Sequence, residues 1–214
     1  MTGILFDLDG TLLDTLDDLL DATNYALEAH GYPQRTKAEL RRFVGNGAAN
    51  QIRLSLPEGS NEDCVQAVLN TYKPYYTANC QRKTAPYPGI AEALAALKGK
   101  YPMAIVSNKP DAAVKALCAD FFPGIYALGE RADCPRKPAP DMVFKAMAAI
   151  GADSCIYVGD SEVDVITANN AGTPCLSVLW GFRDREDMEA VGAVHFCEDT
   201  AAFAEKIEEL IHGQ

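Results

Sequence analysis

Two aspartates one residue apart, Asp7 and Asp9, follow the apolar run Ile4-Leu5-Phe6 and precede Gly10-Thr11. At the end of a strand, side chains at i and i+2 share one face. One carboxylate can then attack an electrophile such as phosphorus while the other handles a proton. Gly10 lets the backbone turn sharply beside a substrate, and Thr11 can bond the loop or a carboxylate. Taken alone, this pentapeptide is as compatible with an acidic turn as with a site. Three further stretches alter that balance. Ser107-Asn108 follows the apolar run Met103–Val106, and Arg136-Lys137-Pro138 precedes a helix-like segment. Gly159-Asp160-Ser161 follows Ile156-Tyr157-Val158, with Asp164 one helical turn on. Each is ordinary by itself: Ser-Asn is a common turn or cap, and an isolated lysine is normally solvated. Their joint appearance behind buried-strand runs is not.

Bringing Asp7, Asp9, Asp160 and Asp164 into one crevice raises an electrostatic problem. Four like charges this close cannot all remain ionised without a cation, and Lys137 supplies only one positive charge. An oxygen-ligated Mg²⁺ is the natural remainder, because it accepts one or two carboxylates and keeps waters for substrate oxygens. No histidine or cysteine joins the group, so zinc is not expected. Ser107 and the amides of a following helix offer donors to phosphoryl oxygens.

The elements that must position these residues are legible as runs. Ile4–Phe6, Met103–Val106, Ile156–Val158 and Cys175–Leu179 are short, apolar and bounded by Gly, Pro, Asp or Asn, as strands buried on both faces should be. Ile125–Leu128 and Val194–Phe196 are weaker candidates. Helical segments are expected at 90–97, 112–119, 141–150, 164–171 and 201–211, between these strands. The alternation predicts an α/β fold: a doubly wound, Rossmann-like parallel sheet, in which strand ends converge on one crevice. The stretch from Thr15 to Arg82 breaks the pattern with helices only, at 16–30, 37–43, 48–55 and 62–79. The expected organisation is therefore a core domain of residues 1–14 and 83–214 carrying an inserted α-helical domain of residues 15–82, with 83–89 as the return segment.

Composition narrows the partners. The chain has 214 residues, 48% hydrophobic and 23% charged, with a formal net charge of −11. That charge argues against nucleic acid or an anionic membrane as a main partner. A small anionic metabolite is still acceptable, since a local cation can overrule the global field. No apolar stretch approaches the ~20 residues of a membrane span, and the acids at 7 and 9 interrupt any secretory leader. Seven cysteines show no C-x-x-C pair. They read as buried free thiols in a reducing cytoplasm.

These residues resemble the four signature motifs of the haloacid dehalogenase superfamily. Asp7-Leu8-Asp9-Gly10-Thr11 matches the first, Ser107 the second, Lys137 the third, and Gly159-Asp160-Ser161-Glu162-Val163-Asp164 the fourth. The resemblance covers nearly the whole chain, and the helical insert is similar to the cap of the subgroup that includes phosphoglycolate phosphatases and β-phosphoglucomutases. It implies a phosphatase in which Asp7 is nucleophile and metal ligand and Asp9 is the acid and base. Mg²⁺ would be held by Asp7, the Asp9 carbonyl and Asp160, with Asp164 supporting the metal from behind. Thr11, Ser107, Asn108 and Lys137 would bind phosphate. Asp9 separates the chain from the dehalogenases, which lack it.

On the insert, Arg41, Gly45, Asn46 and Gly47 resemble the substrate-facing loop of phosphoglycolate phosphatase-like proteins; a plain helix-to-helix turn is the alternative. Lys109 and Trp180 are further candidates for substrate contact. The expectation is a cytoplasmic, monomeric or homodimeric hydrolase of small phosphate monoesters. A phosphomutase and a receiver-like module that accepts phosphate without rapid turnover are the competing readings.

Overall fold

The N-terminal apolar run forms strand β1 (Thr2–Phe6), with Ile4, Leu5 and Phe6 wholly buried. In the computed structural model, which describes residues 1–213, a two-residue strand β2 (Leu13–Asp14) follows. Four helices come next: α1 (Leu16–Ala29), α2 (Lys37–Phe43), α3 (Gly47–Ser55) and α4 (Glu62–Asn79). A second short strand, β3 (Ala85–Pro86), pairs with β2. Alternation then takes over, with α5 (Ile90–Leu97), β4 (Met103–Pro110), α6 (Asp111–Phe121), β5 (Tyr126–Glu130) and α7 (Asp141–Ile150). The chain closes with β6 (Ser154–Gly159), α8 (Glu162–Ala171), β7 (Cys175–Val178), α9 (Arg185–Glu189), β8 (His195–Cys197) and α10 (Phe203–His212).

The main sheet has six strands in the order β5-β4-β1-β6-β7-β8, and its paired strands run parallel. From β1 the chain passes outward through β4 and β5, then returns to the other side of β1 for β6, β7 and β8. The order therefore reverses around β1, and the ends of β1, β4 and β6 frame the crevice where such folds bind ligands. Adjacent side chains of β1 serve opposite faces. Leu5 joins Tyr157, Met142, Val143 and Val165 in one buried cluster. Phe6 meets Phe203 of α10, ring centroids 6.0 Å apart. Helices on both faces make the sheet doubly wound, as the alternation predicts.

Strand β4 runs further than its apolar signal. The expected strand stopped at Val106, but the extended chain continues through Ser107, Asn108 and Lys109 to Pro110, with a register shift against β5 between Val106 and Pro110. Ser107 and Asn108 thus belong to the irregular end of the strand rather than to a turn beyond it. Polar residues buried at a sheet end carry no apolar periodicity, which is why the run seemed shorter. Helices α6 and α8 likewise begin before the expected 112 and 164, and α9, β2 and β3 are too short to leave a periodic signal.

The chain divides into two compact units, Met1–Leu13 with Pro86–Gln214, and Asp14–Ala85. In the helical unit α1 packs on α4, and α2 and α3 complete the bundle. Its interior includes Leu19, Ala22, Ala26, Leu27, Leu40, Ile52, Val68 and Tyr72. Two polar groups are built into it: Thr23 Oγ1 donates to Leu19 O at 2.7 Å and accepts from Gln51 Nε2 at 2.8 Å. The unit is closed by Asp18, which accepts from the Lys83 and Thr84 backbone N–H groups and from Thr84 Oγ1. Among the described residues no helix is long and apolar enough to cross a membrane.

Candidate active site

The β1–β6 ladder carries on one residue past β1: Asp7 N donates to Val158 O at 2.8 Å. Asp7 therefore leaves the sheet on a fixed backbone. A tight loop follows, in which Leu12 N and Leu13 N both donate to Leu8 O, and Gly10 N donates to Leu13 O at 2.9 Å. Gly10 sits at φ +86°, and a Cβ there would strike the Asp160 carboxylate. Glycine is required at this point both by the left-handed backbone and by the approach of the acid.

Lys137, buried to 2% exposure, spans the centre of the site. Its Nζ donates to Asp7 Oδ1 at 2.8 Å, to Asp164 Oδ1 at 2.7 Å and to Tyr157 OH at 3.1 Å. An ammonium has three hydrogens, so all are used. Tyr157 OH in turn donates to Val106 O at 3.3 Å. Burial works against the Lys137 charge, but Asp164 and Asp7 overrule it and lift its pKa well above the ordinary lysine range. Burial also raises the Tyr157 pKa, so its phenol stays neutral. Asp164 is held from the other side by Ser161 N and Ser161 Oγ, at 3.2 and 2.6 Å from its Oδ2. A Cβ on Gly159 would meet the Asp164 side chain, which accounts for glycine there.

Two residues expected to bind phosphate have other partners. Thr11 is wholly buried and donates its single hydroxyl hydrogen to Asp160 Oδ1 at 3.0 Å, so its role here is to orient a carboxylate. Asn108 Nδ2 donates to Lys137 O at 3.0 Å and so anchors the backbone of the lysine. Ser107 Oγ accepts from Lys109 N at 3.2 Å and retains its own hydrogen to give.

The charge count also needs correction. Lys109, 7% exposed, places Nζ 2.5 Å from Asp9 Oδ1. Two lysines, not one, therefore face the four aspartates, leaving two negative charges in excess when all four are ionised. Lysine at 109 lies beside Ser107-Asn108 in sequence, but nothing local says that it turns inward.

Asp160 is fixed from a third direction. Phe182 N donates to Asp160 Oδ2 at 2.7 Å. A Cβ on Gly181 would collide with Asp160 and with Gly10 O. Trp180 Nε1 donates to Thr11 O at 3.0 Å, and its ring stands edge-on to Phe203 at 5.3 Å. The loop after β7 thus braces the first loop and the acid, a function the sequence did not disclose.

Comparison with known proteins agrees with this geometry. Residues 4–178 match the model of the family described as haloacid dehalogenase-like hydrolase. The chain belongs to that family. Among named relatives of this hydrolase, the phosphoglycolate phosphatase of Mesorhizobium japonicum is 35% identical, with 95% of each chain aligned. That of Rhodobacter capsulatus is 35% identical over 85% of each. A solved structure from Lactobacillus delbrueckii subsp. bulgaricus is 36% identical with a TM-score of 0.90, covering 96% of this chain and 98% of its own. A haloacid dehalogenase-like family protein from Streptococcus pneumoniae, 23% identical with a TM-score of 0.86 over 100% and 99% of the two chains, shares the fold.

A hydrolase of this family is generally metal-dependent, and the residues present fit a hard divalent cation. Carboxylate oxygens of Asp7, Asp160 and Asp164 lie within 4.8 Å of one another, all three side chains buried. Burial raises the Asp7 carboxyl well above its ordinary range, more than Lys137 draws it down. Burial, with repulsion from Asp164, pushes Asp160 up to about 7. A divalent cation relieves this repulsion and favours the ionised carboxylates. Gly10 and Gly181 keep the space against Asp160 clear of side chains. An all-oxygen donor set suits magnesium rather than zinc.

Arg41, Gly45, Asn46 and Gly47 lie in the helical unit, where α2 ends and α3 begins. Gly45 and Gly47 take φ of +114° and +76°, and Asn46 is the residue preceding α3. The turn therefore depends on both glycines.

Proposed function

We propose that this hydrolase is a Mg²⁺-dependent phosphatase of small phosphate monoesters, with Asp7 as nucleophile and 2-phosphoglycolate as the first substrate to test. The observation that carries the reading is the placement of Asp7. It stands at the end of the central strand, bound to Lys137 and clustered with Asp160 and Asp164. The names of the relatives in Mesorhizobium japonicum and Rhodobacter capsulatus support the substrate.

In the first step an Asp7 oxygen forms a bond to phosphorus as the bond from phosphorus to the ester oxygen breaks. Asp9 gives that leaving oxygen a proton. In the second, Asp9 takes a proton from the water that attacks phosphorus, and the Asp7–phosphate bond breaks to release phosphate. Lys137 offsets the charge that develops on the phosphoryl oxygens next to Asp7, and Ser107 Oγ offers them a hydrogen. The Asp7 and Asp160 carboxylates and the Asp9 carbonyl would hold Mg²⁺, with Asp164 steadying the set through Lys137 and Ser161. When bound, the ion supplies positive charge against the transferring phosphoryl group. Substrate choice is assigned to Arg41, Gly45, Asn46 and Gly47, where a guanidinium can meet a carboxylate. All seven cysteines are free thiols, which supports a reducing, cytoplasmic setting.

The test is phosphate release from 2-phosphoglycolate, sugar phosphates, nucleotides and pyrophosphate, with and without Mg²⁺, by wild type and Asp7→Asn. The reading requires Mg²⁺-dependent release that Asp7→Asn abolishes. Release that survives the substitution removes Asp7 from its role, and no release from any member of the panel removes the phosphatase reading.

A further inference from the structure

We propose that Lys109 is a positioning residue for Asp9: its ammonium takes Oδ1 and holds the carboxyl group in the one orientation in which Oδ2 carries the proton given to the leaving oxygen. The inference rests on the reading of Asp9 as that proton donor. Its basis is the ion pair at 2.5 Å between Lys109 Nζ and Asp9 Oδ1, with the two side chains 5% and 14% exposed.

Both ends of this strut are fixed. On one side, the backbone of Asp9 bridges to Leu13, and Gly10 N is bonded to Leu13 O. On the other, Lys109 N is tied to Ser107 Oγ. The backbone behind it is pressed against β5 so closely that a Cβ on Gly129 would lie 2.7 Å from Lys109 O. An ammonium carried on so constrained a backbone selects one rotamer of a short acidic side chain. Lys137 has no hydrogen left for this task, since Asp7, Asp164 and Tyr157 take all three. The two lysines divide the work: Lys137 attends to the nucleophile and Lys109 to the acid. Misplacing a reacting group by an ångström can cost about 10²-fold in rate.

The experiment compares esters that differ in their need for an acid. The parameter kcat/KM counts only steps up to departure of the leaving oxygen, whatever limits turnover later. It is measured with Mg²⁺ on p-nitrophenyl phosphate, whose leaving group needs little protonation, and on 2-phosphoglycolate, an alkyl ester. Wild type is compared with Lys109→Met, Lys109→Gln and Lys109→Arg, with folding checked by circular dichroism. For Met and Gln, kcat/KM should fall on the order of 10²-fold for the alkyl ester and less than about tenfold for the aryl ester. Arg, which keeps the charge, should recover much of the alkyl-ester rate and also serves if the neutral variants do not fold. Equal losses on both esters, in any variant that folds, would make Lys109 a substrate-binding or merely structural residue and overturn the proposal. Wild type that hydrolyses neither ester would instead remove the phosphatase reading, and this inference with it.

Discussion

The Lys137 ammonium reaches the Asp7 carboxylate at 2.8 Å across 130 positions of sequence, and both side chains are buried. This contact couples the nucleophile to the packing of the core, so activity and stability should respond to it together. Lys137→Met leaves the Asp7 and Asp164 carboxylates buried without their cation. Breaking such a buried network costs about 3–5 kcal/mol. Urea unfolding should show a loss of that order, with phosphatase activity reduced at least ~10²-fold. A variant as stable and active as wild type would contradict the assignment.

Tyr157 lies behind this pair, accepting from Lys137 and donating to Val106 O. Tyr157→Phe keeps the ring and strips the hydroxyl, leaving a donor and a carbonyl unsatisfied in the core. The expected loss is about 1–3 kcal/mol, measured as a lower Tm. An unchanged Tm would mean that the hydroxyl contributes nothing to the network.

Metal should act on stability as well as on rate. A cation that binds only the folded protein stabilises it by about 2.7 kcal/mol at 100 times its Kd. Mg²⁺ should therefore raise Tm, EDTA should reverse the rise and abolish activity, and Asp160→Asn should erase the response. Gly181→Ala, whose Cβ is driven into Asp160, should need about tenfold more Mg²⁺ for half-maximal effect. A Tm indifferent to Mg²⁺ in wild type would argue against the three-aspartate cluster as the metal site.

In the helical unit, Asp18 holds the closing segment through Lys83 N, Thr84 N and Thr84 Oγ1, the last two at 2.9 and 2.8 Å. Bonds to a charged acceptor contribute about 1.5–3 kcal/mol each. Asp18→Ala should sharply reduce hydrogen-exchange protection of the Lys83 and Thr84 amides while protection across β1 and β6 stays unchanged. Unaltered protection at 83 and 84 would remove Asp18 from that role.

A pH dependence is expected at the start of α6. Burial disfavours the Asp111 charge, but Lys115 and the Gly129 N–H outweigh it and hold the carboxyl below its ordinary range. A depressed folded-state pKa contributes stability that is present above the ordinary value of about 3.9 and is lost as pH falls through the folded value. Asp111→Asn should thus be less stable than wild type at neutral pH, and the gap should close in acid. Denaturant midpoints across this range provide the check; a gap that widens in acid would reverse the sign.

What could be read without a structure was what the chain writes locally. Ile4–Phe6 and Ile156–Val158 advertise buried strands because a strand covered on both faces has no polar alternation. Residues at their ends, Asp7, Asp9 and Asp160, inherit their place from the strand. The helices between Thr15 and Arg82 were legible too, as a stretch that breaks the strand-helix alternation. The tertiary structure decided which way side chains turn once strands distant in sequence lie side by side. Lys109 was a candidate for substrate contact by sequence; β4, running on to Pro110 beside the first loop, put its ammonium on Asp9. Thr11 belonged to the phosphate by motif and to Asp160 by contact. Trp180, Gly181 and Phe182 became braces for the acids only because β7 ends next to β6. Composition and spacing determine which groups reach the crevice; close packing and the pairing of buried charges determine what each one holds there.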